Sequence, residues 1–288
     1  MRLSSRTKGI ISIIASAFGF ALMAMFVRLC DDFGEPISSF QKSFFRNALA
    51  LVLALVVFLR GRASVDLCRV SRRGWFALLA RSVFGTIGIF SNFYALGRIP
   101  IAEGQTLNKT APFFTVVFAA WFLKEKVTLR RLVVLAIAFV GIVLVAKPGF
   151  AGEQAFPLAM GLLGGVCAGA AYATVRYLGI LKVSSPFIIL FFSAFSCLAS
   201  VPFMCHHYDP MTFAQVLTLL GAGLGATIGQ FGITLAYRYS SPREIAVFDY
   251  TNIIFTAALG YICFAQVPDV FSIIGFVVII FAAFCLQR

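Results

Sequence analysis

The sequence is built from apolar runs of about twenty residues, separated by short links that carry its polar and helix-breaking residues. A membrane-spanning helix needs about 20 mostly apolar residues to cross roughly 30 Å of hydrocarbon. Ten runs meet this requirement, with approximate bounds at residues 9–29, 37–59, 74–96, 101–123, 129–146, 156–180, 186–205, 213–237, 242–264 and 270–286. The pattern predicts an all-α, multi-pass integral membrane protein with ten transmembrane helices.

The composition agrees with this prediction, because 60% of the residues are hydrophobic and only 12% are charged. A soluble domain carries about 25% charged residues. This composition excludes a soluble enzyme and a secreted disulfide scaffold. The net charge of +13 does not indicate a nucleic-acid partner, since basic residues beside apolar runs are typical of cytoplasmic loops, where they meet anionic lipid headgroups.

The basic residues also predict an orientation. If the N-terminus is cytoplasmic, sixteen Lys and Arg residues fall in cytoplasmic ends and loops, and only Arg98 and Lys147 fall on the other side. This bias places both termini in the cytoplasm. We expect the protein to lie in the cell (inner) membrane.

The two halves of the chain resemble each other. Arg28 aligns with Arg176 at an offset of 148 residues, and Glu103 aligns with Glu244 at an offset of 141. The repeats would cover residues 1–148 and 149–288, with five spans each. Because five is odd, the second repeat enters the membrane from the opposite side, as in secondary transporters that work by alternating access.

Two segments carry a resemblance to a known family. The run Leu-Asn-Lys-Thr-Ala-Pro-Phe-Phe at 107–114, with 123–126 and 141–144 after it, resembles the signature of the EamA family of the drug/metabolite transporter (DMT) superfamily. Residues 249–255 and 264–269 are the counterpart in the second half. The resemblance implies ten spans in two five-helix repeats and a metabolite transporter, without naming a substrate.

One position departs from the family pattern, which usually has Glu where this chain has Gln266. The aligned residue in the first half is Glu125. Both positions should lie at the ends of spans. We therefore expect the change to alter a helix-end contact and to leave the substrate site as it is.

Four ionisable residues fall near the centres of predicted spans: Arg46, Arg81, Lys109 and Asp249. At 1.5 Å per residue, each lies about 10–14 Å from the end of its span, close to the membrane midplane. Charged groups at this depth are costly and typical of functional sites. We predict that they contribute to a substrate site.

Helical spacing adds further candidates to this site. Arg81, Gly85, Gly88 and Asn92 follow an i, i+4, i+7, i+11 pattern and should form one polar or small-residue stripe. Asn252 shares a helix face with Asp249. Tyr172 and Tyr250 are further candidates, because a buried tyrosine hydroxyl needs a polar partner.

Charge counting leaves two explanations open. In the first, Asp249 pairs with one of the three cations and the other cations bind carbonyls or reach the interface. In the second, three cations and one carboxylate leave two positive charges that an organic anion would balance. A zwitterion or cation such as an amino acid is the alternative substrate, with its ammonium on Asp249 and its carboxylate on Arg81.

Other functional classes find less support in the sequence. It contains no phosphate-binding GxxxxGK[ST] motif, no HExxH motif, and no pair of carboxylates inside the spans, which disfavours ATP-driven transport and an intramembrane enzyme. The seven cysteines are scattered without a CxxC pair, so we expect neither metal nor cofactor. Proton coupling through Asp249, Glu103 or Glu244, exchange with a counter-substrate, transport direction and oligomeric state remain open.

Overall fold

A computed structural model describes residues 4–60, 70–123, 155–240 and 248–287 of the chain, together with 133, 134, 136, 137, 139–141 and 144. The predicted fifth span and the beginning of the ninth span therefore lie largely outside the described residues, as do Glu125 and Glu244.

The described residues form α-helices joined by short links. The helices are α1 (Ser5–Leu29), α2 (Ser39–Arg60), α3 (Arg72–Leu96), α4 (Ile101–Asn108), α5 (Ala111–Leu123), α6 (Ala155–Ile180), α7 (Ser185–His206), α8 (Phe213–Tyr239), α9 (Thr251–Phe264) and α10 (Val270–Gln287). A short 3-10 turn, Cys30–Phe33, follows α1. The fold is all-helical over the part of the chain that the structure describes.

Six of these helices (α1, α2, α3, α6, α7 and α8) are long and apolar enough to cross a membrane. Their 22–27 residues span about 33–40 Å. Large apolar side chains point outward, as at Leu198, Phe213 and Ile262, which are 72%, 83% and 74% exposed. Apolar surface of this kind is expected where a protein faces lipid. The chain is an integral, multi-pass membrane protein.

The beginnings of the long helices follow from local hydrogen bonding. The Ser4 and Ser71 hydroxyls accept hydrogen bonds from backbone N–H groups in the first turns of α1 and α3. At α8, Thr212 accepts from the Gln215 N–H while the Gln215 side chain accepts from the Thr212 N–H. Each contact satisfies N–H groups that a helix end otherwise leaves without partners.

The most extensive packing is between three pairs of long helices. Helix α1 packs against α8, α3 against α6, and α2 against α7. Glycines set the close approaches: a Cβ at Gly225 of α8 would lie 2.8 Å from the Gly19 carbonyl oxygen of α1, and a Cβ at Gly164 of α6 would lie 3.2 Å from the Gly88 carbonyl oxygen of α3. The small-residue ridges therefore serve helix packing.

The predicted fourth span is not one continuous helix. Helix α4 ends at Asn108 and α5 begins at Ala111, with a turn at Lys109 and Thr110 between them. Pro112 explains the interruption, because proline lacks the N–H that would bond to the carbonyl of Asn108. Asp249 and Tyr250 likewise precede the first residue of α9, so the described part of the ninth span also contains a turn.

Candidate functional site

A cavity lies among α1, α2, α3, α6, α7, α8 and the α4–α5 interruption. Its polar lining consists of Arg46, Arg81, Asn92, Gln105, Asn108, Lys109, Tyr172 and Gln230. Apolar walls come from Phe20, Met23, Ile89, Phe93 and Phe192. The lining is typical of a small-molecule site, with a few polar groups converging between apolar walls.

The stripe predicted on the third span faces this cavity. Arg81, Gly85, Gly88 and Asn92 all contribute to its lining. Gly85 keeps the wall open beside the Phe192 ring, since a Cβ at this position would lie 2.8 Å from that ring. The Arg81 guanidinium consequently packs on the Phe192 ring, 4.0 Å from its centroid, in a cation–π contact.

The Arg81 guanidinium also approaches a polar side chain of α8. Its Nη2 lies 3.4 Å from the Gln230 Oε1, which is a long hydrogen bond to a neutral acceptor. Its Nε, although buried, has no hydrogen-bond partner among the described residues. Arg81 is nevertheless only 5% exposed.

Arg46 lies in a similar environment on α2 and is 1% exposed. Its Nη1 donates to the Asn47 Oδ1, and Asn47 is itself held by Ser196 of α7 at 2.8 Å. The Arg46 Nε has no partner in the described part of the chain. Within those same ranges, no carboxylate oxygen lies within 4.0 Å of either guanidinium. The cavity therefore holds two buried positive charges that no described carboxylate neutralises.

Lys109 lines the same cavity but has a carboxylate partner. Its Nζ lies 2.9 Å from both oxygens of Asp249, and the two side chains are 8% and 3% exposed. Asp249 itself is outside the lining. The sequence left open which of three cations pairs with Asp249. The structure shows that Lys109 does.

The other predicted site residues separate into two groups. Asn92 and Tyr172 line the cavity. Asn252 is fully buried and donates from its Nδ2 to the Ala17 carbonyl at 2.7 Å, and the Tyr250 ring packs near Phe113 with 6.2 Å between centroids. Neither Asn252 nor Tyr250 is part of the lining.

Sequence reasoning missed several lining residues, notably Gln105, Gln230 and Phe192. Gln105 and Gln230 are buried polar residues inside apolar spans, with 3% and 7% exposure, and this signal was present in the sequence. Phe192 could not be chosen among 33 phenylalanines without a structure.

Gln266 lies at a helix end, as predicted. Its Oε1 accepts a hydrogen bond from the Ile101 N–H, the first residue of α4, at 3.1 Å. Gln266 does not line the cavity. Glu103 also lies away from it and accepts from the Ser272 hydroxyl at 3.2 Å.

The fold and the site define a membrane protein with a buried polar cavity between its helices, the arrangement of a transporter. Residues 7–147 and 155–287 match the EamA-like transporter family. The chain belongs to this family.

The names of individual relatives state different transport activities. The chain is 29% identical over 281 residues to the pseudopaline exporter CntI of Pseudomonas aeruginosa, covering 97% of this chain and 96% of the relative. It is 25% identical over 251 residues to an S-adenosylmethionine uptake transporter of Rickettsia bellii, covering 86% and 83%. A protein crystal structure with 16% identity shares the fold at a TM-score of 0.67 over 94% of both chains.

Proposed function

We propose that this protein is a secondary active or facilitative transporter that moves a small organic anion across the membrane by alternating access. Its ten spans would form two inverted five-helix repeats, residues 1–148 and 149–288, with both termini in the cytoplasm. The substrate site would be the cavity lined by Arg46, Arg81 and Lys109.

The reciprocal packing of the helices supports an inverted repeat. With the boundary at 148, α1 and α3 are the first and third helices of one repeat, and α6 and α8 are the first and third of the other. Pairing α1 with α8 and α3 with α6 is then the same contact made twice, and α2 with α7 joins the two second helices. The turns at Lys109 and Tyr250 are also 141 residues apart, which is the offset that aligns the later parts of the two halves. Interruptions at corresponding positions of two repeats are typical of transporter binding sites.

The observation that carries the proposed substrate class is the pair of buried guanidiniums. An isolated charge in a low-dielectric site is expensive unless an opposite charge compensates it. Each guanidinium offers donors arranged as a fork, which match the two oxygens of a carboxylate or phosphate. An organic anion would therefore gain strong hydrogen bonds and neutralise both groups.

The position of Asp249 favours an anion over a zwitterion or cation. An ammonium group of the substrate would need a carboxylate in the cavity. Asp249 lies outside the lining, and both of its oxygens are occupied by Lys109. The relatives named above include an exporter and an uptake protein, so family membership leaves the direction of transport open.

Reconstitution tests the proposal. The wild-type protein and the Arg46→Gln/Arg81→Gln variant are placed in separate liposomes, and uptake of labelled succinate, citrate, glucose 6-phosphate, alanine and putrescine is followed. We expect uptake of at least one anion by the wild type and none by the variant. Uptake restricted to alanine or putrescine, or equal anion uptake by both proteins, would contradict the proposal.

A further inference from the structure

The ion pair between Lys109 and Asp249 connects the two helix interruptions. Lys109 lies in the turn between α4 and α5, and Asp249 lies just before α9. The Lys109 Nζ is 2.9 Å from each oxygen of Asp249, and the residues are 7% and 2% exposed. One partner lines the cavity and the other does not. The pair is thus placed where the charge of a substrate can reach its cation but not its anion.

The number of negative charges on a substrate determines whether this ion pair stays intact. Arg46, Arg81 and Lys109 contribute three positive charges, and Asp249 contributes one negative charge. A substrate with two negative charges balances the two guanidiniums and leaves the ion pair intact. Among the described residues that line the cavity, Lys109 is the remaining cation that can balance a third anionic group, and its ammonium group is already held by Asp249.

We propose that Asp249 is a proton-binding site whose occupancy depends on the charge of the substrate. When a third anionic group of the substrate takes the Lys109 ammonium, the Asp249 carboxylate is released and takes up one proton from solution. A buried carboxylate without a cation is strongly disfavoured, and protonation removes its charge. The total charge of the site is then zero for a bound dianion without a proton and for a bound trianion with one.

The surroundings of Asp249 assign the proton to this residue. In the described part of the chain, Lys109 from the α4–α5 turn contacts Asp249, and the Tyr172 phenol of α6 lies within electrostatic range of Asp249, Arg81 and Arg46. Tyr250 follows Asp249 in the chain. Helix α1 contributes the Phe20 ring, whose centroid is 5.8 Å from the Lys109 Nζ. A phenol is neutral near pH 7, so the carboxylate is the group that can exchange a proton there.

The inference rests on the proposed anion site and is tested by titration calorimetry on the full chain in detergent. Succinate and tricarballylate serve as probes, because they are similar acids with two and three carboxylates. Comparing binding heats in Tris and triethanolamine at pH 7.5 counts the protons taken up. We expect none with succinate and about one with tricarballylate, whose Kd should rise about tenfold from pH 7 to pH 8 while that of succinate stays constant.

A double variant checks the role of the pair without leaving a single buried charge. Lys109→Met/Asp249→Leu removes both charges, and replacement of a buried ion pair by apolar side chains is often tolerated. This variant should bind tricarballylate no more tightly than succinate and without proton uptake. Lys42→Met/Asp31→Leu, which removes a buried ion pair away from the cavity, is the matched control and should keep the proton uptake.

The outcomes separate the two proposals. If tricarballylate binds the wild type without proton uptake, or fails to bind while succinate binds, the Asp249 inference is overturned and the anion site stands. If the Lys109→Met/Asp249→Leu variant still takes up a proton with tricarballylate, another group is responsible and the inference is again overturned. If neither acid binds the wild type, the result counts against the anion site and against the inference that rests on it.

Discussion

The buried lysines Lys42 and Lys109 have carboxylate partners, whereas the buried arginines Arg46 and Arg81 have none among the described residues. Lys42 on α2 lies 2.6 Å from Asp31, and Lys109 lies 2.9 Å from Asp249. Arg46 and Arg81 are equally buried, yet no carboxylate lies within 4.0 Å of either in the residues that the structure describes. Their supports are neutral: Asn47, Gln230 and the Phe192 ring.

If the proposed function holds, this difference separates a structural role of the lysine pairs from a binding role of the arginines. Asp31 and Lys42 are eleven positions apart, and Asp31 also accepts from the Ile37 N–H, so this pair fixes the link between α1 and α2. The arginines instead face a shared cavity and are oriented without being neutralised. A site prepared for an anion requires that combination, because a protein carboxylate beside the guanidinium would compete with the substrate.

The largest effect should come from breaking a lysine pair outside the cavity. Asp31→Asn leaves Lys42 buried without its carboxylate and should lower the free energy of unfolding by about 3 kcal/mol. The neighbouring exposed Asp32 offers a matched control, since Asp32→Asn should change it by less than about 0.5 kcal/mol. Thermal unfolding in detergent measures both. Equal stability of the two variants would show that the ion pair between Asp31 and Lys42 does not stabilise the fold.

Removing an arginine should give a smaller effect on a different property. Arg81→Gln should weaken binding of the transported anion by about 2 kcal/mol, or about 30-fold, because a charge-assisted hydrogen bond is lost. It should not lower stability, since an uncompensated buried charge disappears with it.

The control for this variant is Arg98→Gln, at an exposed arginine that stacks on the Tyr94 ring. Anion affinity, measured by calorimetry, should be unchanged in Arg98→Gln. Unchanged affinity together with a loss of stability in Arg81→Gln would show that Arg81 is structural.

Giving an arginine the partner that the lysines have would sharpen the comparison. Gln230→Glu places a carboxylate beside the Arg81 guanidinium in a side chain of nearly the same shape. It should raise the melting temperature and weaken anion binding about tenfold, because the substrate must now compete for Arg81. Gln230→Leu, which removes the hydrogen bond without adding charge, should weaken binding by only about threefold. Tighter anion binding by the Gln230→Glu variant would contradict the account.

The smallest effect should come from a carboxylate placed outside the cavity. Gln266→Glu would present a carboxylate to the Ile101 N–H at the beginning of α4, where the helix dipole favours negative charge. Stability should rise by about 0.5 kcal/mol, measured by thermal unfolding. Anion affinity should stay within twofold of the wild type, and a larger change would show that this helix end is coupled to the site.

The α3 wall of the site was predictable because periodicity and chemistry agreed there. Arg81, Gly85, Gly88 and Asn92 recur at helical spacing within one uninterrupted span, so their common face followed from the sequence. The excess of cations over carboxylates was countable as well. The structure adds which cation is paired.

The α4–α5 region was harder to predict, because apolar composition alone does not reveal an interruption. Residues 101–123 read as one span, although Pro112 was available as a signal for a break near Asn108. The turn moves Lys109 into reach of Asp249, 140 residues away in the chain. Contacts at that separation depend on how the helices cross. The close approaches at Gly19, Gly88 and Gly225 set these crossings, and the sequence alone does not show which helices meet there.

Charge-matched ligands test most directly whether Arg46 and Arg81 bind an anion together. Thermal stability of the wild type and of Arg46→Gln/Arg81→Gln is measured with di- and tricarboxylic acids, sugar phosphates and the neutral amide or alcohol of each. A ligand at about 100 times its Kd adds about 2.7 kcal/mol of stability. We expect such stabilisation of the wild type by at least one anion, no stabilisation by its neutral analogue, and no stabilisation of the variant. Stabilisation by amino acids or cations alone, or equal stabilisation of both proteins, would contradict this expectation.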